Sequence, residues 1–115
     1  MKIIITEYFK KILKKECKDI DIDFLINKIK IESKNFISFK EPFFKVKINS
    51  KTKTYRLIVN YEKNYLKMIF INIFDKKDKR IWENINRNLH KNLILQSYEL
   101  NLDDIENWKF QIYEI

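Results

Sequence analysis

Phe43-Phe44-Lys45-Val46-Lys47-Ile48, Tyr55-Arg56-Leu57-Ile58-Val59-Asn60-Tyr61 and the run from Tyr65 to Phe74 are three apolar stretches separated by short polar ones. Each is rich in β-branched and aromatic residues and bounded by turn-forming residues, which predicts three consecutive strands. In the first, alternation sends Phe44, Val46 and Ile48 to one face and Lys45 and Lys47 to the other. In the second, Tyr55, Leu57, Val59 and Tyr61 share a face, with Arg56, Ile58 and Asn60 opposite. If the larger apolar set faces the core, Arg56 emerges on the side of Lys45 and Lys47. Residues 49–53 and 62–64 are polar and serve as turns. Residues 66–74 are apolar on both faces, as expected of a central strand.

Upstream, residues 2–5 are apolar and β-branched and predict a first strand. Thr6 is placed to cap a helix, with Glu7 in its positive first turn. Phe9, Ile12, Leu13 and Cys17 follow at helical spacing, and Lys10, Lys11, Lys14 and Lys15 cover the other faces. The cluster Asp19-Ile20-Asp21-Ile22-Asp23 interrupts this helix, and Asp21 or Asp23 can cap a second one carrying Phe24, Leu25, Ile26 and Ile29. Two helices around a short acidic turn predict an αα-hairpin. Residues 35–42 read as a connector, with Pro42 at a strand entrance. Downstream, Ile81, Ile85, Leu89 and Leu93 predict a third helix. Residues 101–107 are turn-rich, with Asp103 or Asp104 able to start one more helical turn. Trp108, Phe110 and Ile112 alternate with Lys109, Gln111 and Tyr113, which predicts a final short strand.

The expected architecture is a single α+β domain over 1–115. It has a small antiparallel-dominated sheet, an N-terminal helix hairpin packed on one face and a basic concave face opposite. Residues 2–89 form its core and 90–115 a C-terminal helical extension. At 115 residues, with 45% hydrophobic and 15% aromatic content, the chain can bury a core without staples and is not disordered. Glycine is absent, which excludes the glycine-rich phosphate loops of P-loop and dinucleotide-binding proteins. One cysteine, Cys17, excludes an intrachain disulfide and a cysteine-based zinc site. His90 is the lone histidine, so no histidine acid–base pair or metal site is expected either. Asp75 and Asp78 stand among lysines that would repel a cation, and no cofactor is expected. The N-terminus reaches Glu7 too soon for a signal-peptide apolar region, and no run approaches a membrane span. A soluble, cytoplasmic protein is the expectation.

Charge is concentrated. Between Lys40 and Arg80 stand twelve Lys/Arg against four Asp/Glu, a net of +8 that equals the charge of the whole chain. Alternating lysines on a strand ordinarily form a solvated face or protect an edge. The run Lys76-Lys77-Asp78-Lys79-Arg80 leads into a helix start, where positive charge is unfavourable unless an anion binds there.

The Lys-x-Lys of the first run, a polar turn and Tyr55-Arg56-Leu57-Ile58-Val59 resemble the central hairpin of the RelE/ParE toxin superfamily. Phe70-Ile71-Asn72-Ile73-Phe74-Asp75-Lys76-Lys77 resembles that family's last sheet strand and following basic segment. The resemblance covers about residues 2–89. It implies the toxin of a type II toxin–antitoxin pair, bound and inhibited by a cognate antitoxin. In the RelE-like mRNA interferase branch, it further implies a ribosome-dependent endoribonuclease that cleaves mRNA by metal-independent attack of the ribose 2′-hydroxyl. By motif position, Lys45 and Lys47 match the family's paired lysines, one acting as base, and Arg56 its phosphate-clamping arginine. Lys77 stands where the family has a second arginine, the leaving-group partner; lysine lacks that bidentate fork. Lys76, Lys79, Arg80 and Trp82 are the expected RNA-binding set, with Trp82 able to stack on a base. The family's late tyrosine has no counterpart; Trp82 or Glu83 stands nearest. A ParE-like inhibitor of DNA gyrase and a non-catalytic basic module binding nucleic acid or the ribosome are the alternatives. Retention of Lys45, Lys47 and Arg56 weighs against the first.

Overall fold

The computed structural model describes residues 1–31, 36–40, 42–62, 64, 66–77 and 88–115, and of 36–40 and 88–92 the backbone alone. In chain order these residues form β1 (Lys2–Thr6), α1 (Glu7–Glu16), α2 (Ile22–Ile31), β2 (Phe36–Lys40), β3 (Phe43–Asn49), β4 (Thr54–Glu62), β5 (Lys67–Asp75), α3 (Asn88–Glu106) and β6 (Phe110–Glu114). The strands make one sheet in the order β2-β3-β4-β5-β1-β6. β1 lies parallel to β5, and every other neighbouring pair is antiparallel. No helix among the described residues is long and apolar enough to cross a membrane.

The sheet separates two apolar layers. Ile3, Ile5, Val46, Ile48, Tyr55, Leu57, Val59, Met68 and Phe70 pack with Phe9 and Leu13 of α1 and Leu25 and Ile29 of α2. On the opposite side Ile4, Phe43, Ile58, Ile69, Ile71 and Phe74 pack with Ile94 of α3, and Tyr98 and Ile105 close over them. Each fully buried side chain of this size contributes about 1.5–3 kcal/mol. The double-sided apolarity of β5 thus has its physical reason in helices on both faces.

An irregularity in β5 fixes how α3 seats. Ile58 pairs with Asn72 and Val59 with Phe70, so Ile71 is an extra residue. Such a bulge lets two successive side chains share a face and leaves its backbone groups without ladder partners. Ile71 and Asn72 accordingly both meet α3. The Asn101 amide of α3 donates to the Ile71 carbonyl at 3.1 Å, and Asn72 donates to Ser97 Oγ at 3.1 Å.

Three expectations are corrected. First, the helices are not an N-terminal hairpin packed on one face. The main neighbours of α1 are β5, α3 and β1 rather than α2, and α3 occupies the second face. The linker between α1 and α2 is drawn onto the β3–β4 turn: Asp19 accepts from Ser50 Oγ at 2.6 Å, from Thr52 Oγ1 at 2.9 Å and from the Tyr55 hydroxyl. Each helix then buries its own stripe against the sheet. Second, residues 36–40 form a strand, β2, on β3, where a connector is expected. Third, residues 101–106 continue α3, and the part from residue 90 onward is no appendage: β6 pairs along the whole of β1. The sheet is therefore mixed, with its one parallel pair at β1–β5.

The Asp19 clamp yields a stability prediction. Hydrogen bonds from Ser50 and then Tyr55 hold its carboxyl at about pKa 2, below the ordinary value of 3.8. A depressed carboxyl contributes stability that is present above its unfolded pKa and lost as pH falls through the folded one. Asp19→Asn should therefore cost about 1 kcal/mol at pH 7, solvent screening at this exposed carboxylate having reduced the charged hydrogen bonds to that size. The difference from the parent should shrink between about pH 4 and pH 2. Urea titrations at pH 7 and pH 2.5 check it; an equal gap at both would remove the carboxylate from the explanation.

Candidate functional site

β3 and β4 place three of the four expected catalytic residues on one side of the sheet. Lys47 stands directly opposite Arg56, Lys45 opposite Ile58, and Arg56 opposite Phe74 of β5. Val46, Ile48, Tyr55 and Leu57, the alternate residues, are buried on the α1–α2 side, so the pleat turns Lys45, Lys47 and Arg56 to the other. Lys47 is exposed; Lys45 and Arg56 are half-buried, and the Arg56 Nε is inaccessible to water. Like charges directly opposite on neighbouring strands destabilise a sheet by a few tenths to about 1 kcal/mol. Here the sequence sets two cations across one rung with a third two residues away.

Burial, and after it the nearby Arg56 guanidinium, lower the pKa of Lys45 from its ordinary 10.5. Both causes act against the charged ammonium. The shift favours the neutral amine more than in an ordinary lysine, beside the Arg56 guanidinium.

Lys76 continues the β4–β5 ladder, its N–H donating to the Thr54 carbonyl at 2.9 Å, one rung beyond Tyr55–Asp75. Strand alternation carries it to the side of Arg56. Lys77 follows where the chain bends, its N–H donating to Asp75 Oδ1 at 2.9 Å, and it is exposed. At this end of the sheet Lys76, rather than Lys77, is in step with the cluster. Lys79, Arg80 and Trp82, with Asp78 and Glu83, lie outside the described residues.

The basic face is not open along its length. α3 covers its lower part, where Phe43 meets Tyr98 edge-on at 5.3 Å between ring centres. Tyr98 lies away from the Lys45–Arg56 cluster. Burial and then the Glu62 carboxylate raise its pKa, and Glu62 pairs with Lys67 at the end of the sheet away from Arg56.

Sequence reading missed Asn60, which shares the Arg56 face of β4. It is 1% exposed, and neither its amide oxygen nor its nitrogen has a hydrogen-bond partner among the described residues. It lies on a rung between Phe43 and Ile69, beneath α3. An unsatisfied buried amide costs about 1–3 kcal/mol, so Asn60→Leu should raise stability by about 1–2 kcal/mol. A higher urea midpoint with unchanged slope would show it; a lower midpoint would mean that the amide has work to do. The only signal in the sequence is an Asn on a strand between apolar neighbours.

Among the described residues no group of three or more His, Cys, Asp or Glu side chains could hold a metal ion. Cys17 is buried, and that burial, with the Asp19 charge adding to it, pushes its thiol up to about 12, so it stays protonated and serves as core. No protein-family model matches the chain, and no curated protein matches its sequence.

Proposed function

We propose that the chain is an endoribonuclease toxin that cuts mRNA on the ribosome through the Lys45–Lys47–Arg56 cluster, and that a cognate antitoxin restrains it. The observation that carries this reading is the depressed lysine beside a guanidinium: Lys45 next to Arg56, with Lys47 across the rung. Cleavage by the ribose 2′-hydroxyl needs a proton acceptor, positive charge for the pentacoordinate phosphorus and a proton for the departing oxygen. Neutral Lys45 takes the 2′-hydroxyl proton. The 2′-oxygen then forms a bond to phosphorus as the bond from phosphorus to the 5′-oxygen breaks, leaving a 2′,3′-cyclic phosphate. Arg56 and Lys47 neutralise the charge that accumulates on the non-bridging oxygens. Lys76, on the same side, gives the 5′-oxygen its proton. The motif resemblance of Lys45, Lys47, Arg56 and the segment to Lys77 supports the same chemistry.

The test is a translation reaction reconstituted with purified ribosomes, read by primer extension on the message. New 5′ ends on ribosome-bound message, absent with Arg56→Ala or Lys47→Ala, are the expected result. Intact message together with DNA breaks in cells expressing the chain would replace this reading by gyrase poisoning. Intact message with salt-sensitive RNA binding would leave a basic binding module.

A further inference from the structure

β6 is an outer strand of the sheet, and its outward groups follow from how it pairs inward. Met1 and Ile115 exchange N–H···O bonds, each 3.0 Å, and Glu7 donates to the Lys109 carbonyl at 3.0 Å. Alternation therefore bonds residues 109, 111, 113 and 115 to β1 and turns the N–H and C=O of Phe110, Ile112 and Glu114 outward. Sheet edges ordinarily carry a lysine, a proline or a bulge that keeps other strands off. Phe110–Glu114 has none of these, and its register with β1 is regular.

The charges along this edge complement one another end to end. Lys109 stands at the start of the strand and Glu114 at its end. An antiparallel neighbour brings opposite ends together, so a second β6 sets its Lys109 end beside the Glu114 end of the first. A foreign strand rich in one sign would meet both signs here. Lys2 lies on the rung of Glu114, and Lys10 donates to Gln111 Oε1 at 2.5 Å. The apolar groups lie on the α3 side. Trp108, 84% exposed, stacks on Phe110, ring centres 6.0 Å apart and planes 22° from parallel, and Ile112 on the same face is 50% exposed. Trp108 closes α3 with a left-handed backbone, φ 60°, where glycine is the favoured residue. Its strain and the hydration of its ring are not offset by packing within one copy.

A ladder can form only where outward residues face outward residues. With Ile112 facing Ile112 of the second copy, Phe110 faces Glu114, and every outward N–H and C=O of the three residues finds a partner. No rung then sets like charges opposite, since Lys109 faces Ile115 and Gln111 faces Tyr113. For the same reason the two Lys10 side chains, each on its own Gln111, are staggered along the strands rather than opposed. On the α3 side Ile112 and its twin meet at the axis, with a Phe110–Trp108 stack on either flank. We propose that two copies of this chain associate through their β6 edges, antiparallel about a two-fold axis at Ile112, into one sheet running through both. Such a self-complementary two-fold contact closes on itself and leaves no open edge at β6. This holds whether or not the Lys45–Arg56 face cleaves RNA, since β6 and β3 are separated by three strands.

Sedimentation of the full chain from about 1 μM to about 1 mM should show monomer passing to dimer, as for a small interface. Amide hydrogen exchange at Phe110, Ile112 and Glu114 should slow about tenfold or more across that range. Ile112→Pro removes an outward N–H without touching a β1 bond and should leave a folded monomer. Trp108→Gly relieves the strained φ, so the dimer should weaken about tenfold while stability in urea holds or rises. Two cysteine variants read the register. Residues facing each other on a hydrogen-bonded rung have Cα atoms about 5.5 Å apart, within disulfide reach, whereas Glu114 faces Phe110 and stands well away from its own twin. Ile112→Cys should therefore cross-link under mild oxidation about tenfold or more faster than Glu114→Cys. A monomer at about 1 mM, amide exchange indifferent to concentration, an Ile112→Pro variant that dimerises like the parent, or equal cross-linking of the two cysteine variants would each overturn the proposal.

Discussion

Lys45→Met is expected to lower message cleavage by about 100-fold or more at neutral pH, the usual scale for a lost general base. Lys45→Arg should do no better, and that comparison carries the most information. Arginine keeps the positive charge but does not deprotonate in proteins. A residue that merely attracts phosphate would tolerate it; a proton acceptor would not. The sign of the pH dependence follows from the same shift. An amine accepts a proton only when neutral, so the parent rate should rise with pH and level off above the pKa of Lys45. Burial and Arg56 lower that pKa, so levelling should come earlier than an ordinary lysine allows. The methionine variant should lose that rise. A lysine whose pKa falls on folding weakens the native state at neutral pH, so Lys45→Met should be at least as stable as the parent. Loss of cleavage then cannot be assigned to unfolding. Full activity in Lys45→Arg would move the base elsewhere.

Asn101→Ala should cost about 2–3 kcal/mol, the largest stability effect expected of a single exposed-to-none polar side chain here. Asn101 is fully buried and joins three elements. It accepts from Thr6 Oγ1 at 2.5 Å and donates to the carbonyls of Ile71 at 3.1 Å and Ser97 at 2.7 Å. Thr6 is itself the cap of α1, accepting from Phe9 N–H at 3.1 Å. Without the amide, the bulged Ile71 carbonyl has no strand to turn to. Asn101→Leu restores the volume but none of the bonds, so it should be nearly as damaging. Exposed Leu100 next to it gives the comparison, and its alanine variant should stay within about 0.5 kcal/mol. If Asn101→Leu regained parent stability in urea, packing volume rather than hydrogen bonding would be what seats α3.

The meander was legible because strand alternation is a strict rule of geometry. Lys45, Lys47 and Arg56 share a face because Val46, Ile48, Tyr55 and Leu57 must be inside, and no tertiary information was needed for that. β2 was not legible: residues 36–40 lie between a helix end and Pro42, and only pairing with β3 gives them a reason to extend. The separation of α1 from α2 depends on Asp19 reaching a turn some thirty residues later, a contact no local pattern encodes. Nor could the bulge at Ile71 be read, since one extra residue in a run apolar on both faces leaves the pattern unchanged. That bulge is also why Ile69, Ile71, Asn72 and Phe74 all look toward α3. At the site, alignment by motif favoured Lys77, whereas the ladder keeps Lys76 in step with Arg56; a shift by one residue changes sides at a strand end.

β1 is the penultimate strand of the finished sheet, with Ile3 beside Met68 on one flank and Tyr113 on the other. During synthesis β1 is made about a hundred residues before its second neighbour, β6. At about 5–20 residues per second, that wait is on the order of ten seconds. Through it the hairpins of β3, β4 and β5 can close locally and β1 can dock on β5, while its other flank has no partner. A nascent chain therefore holds β1 as an exposed sheet edge until β6 arrives to cover it.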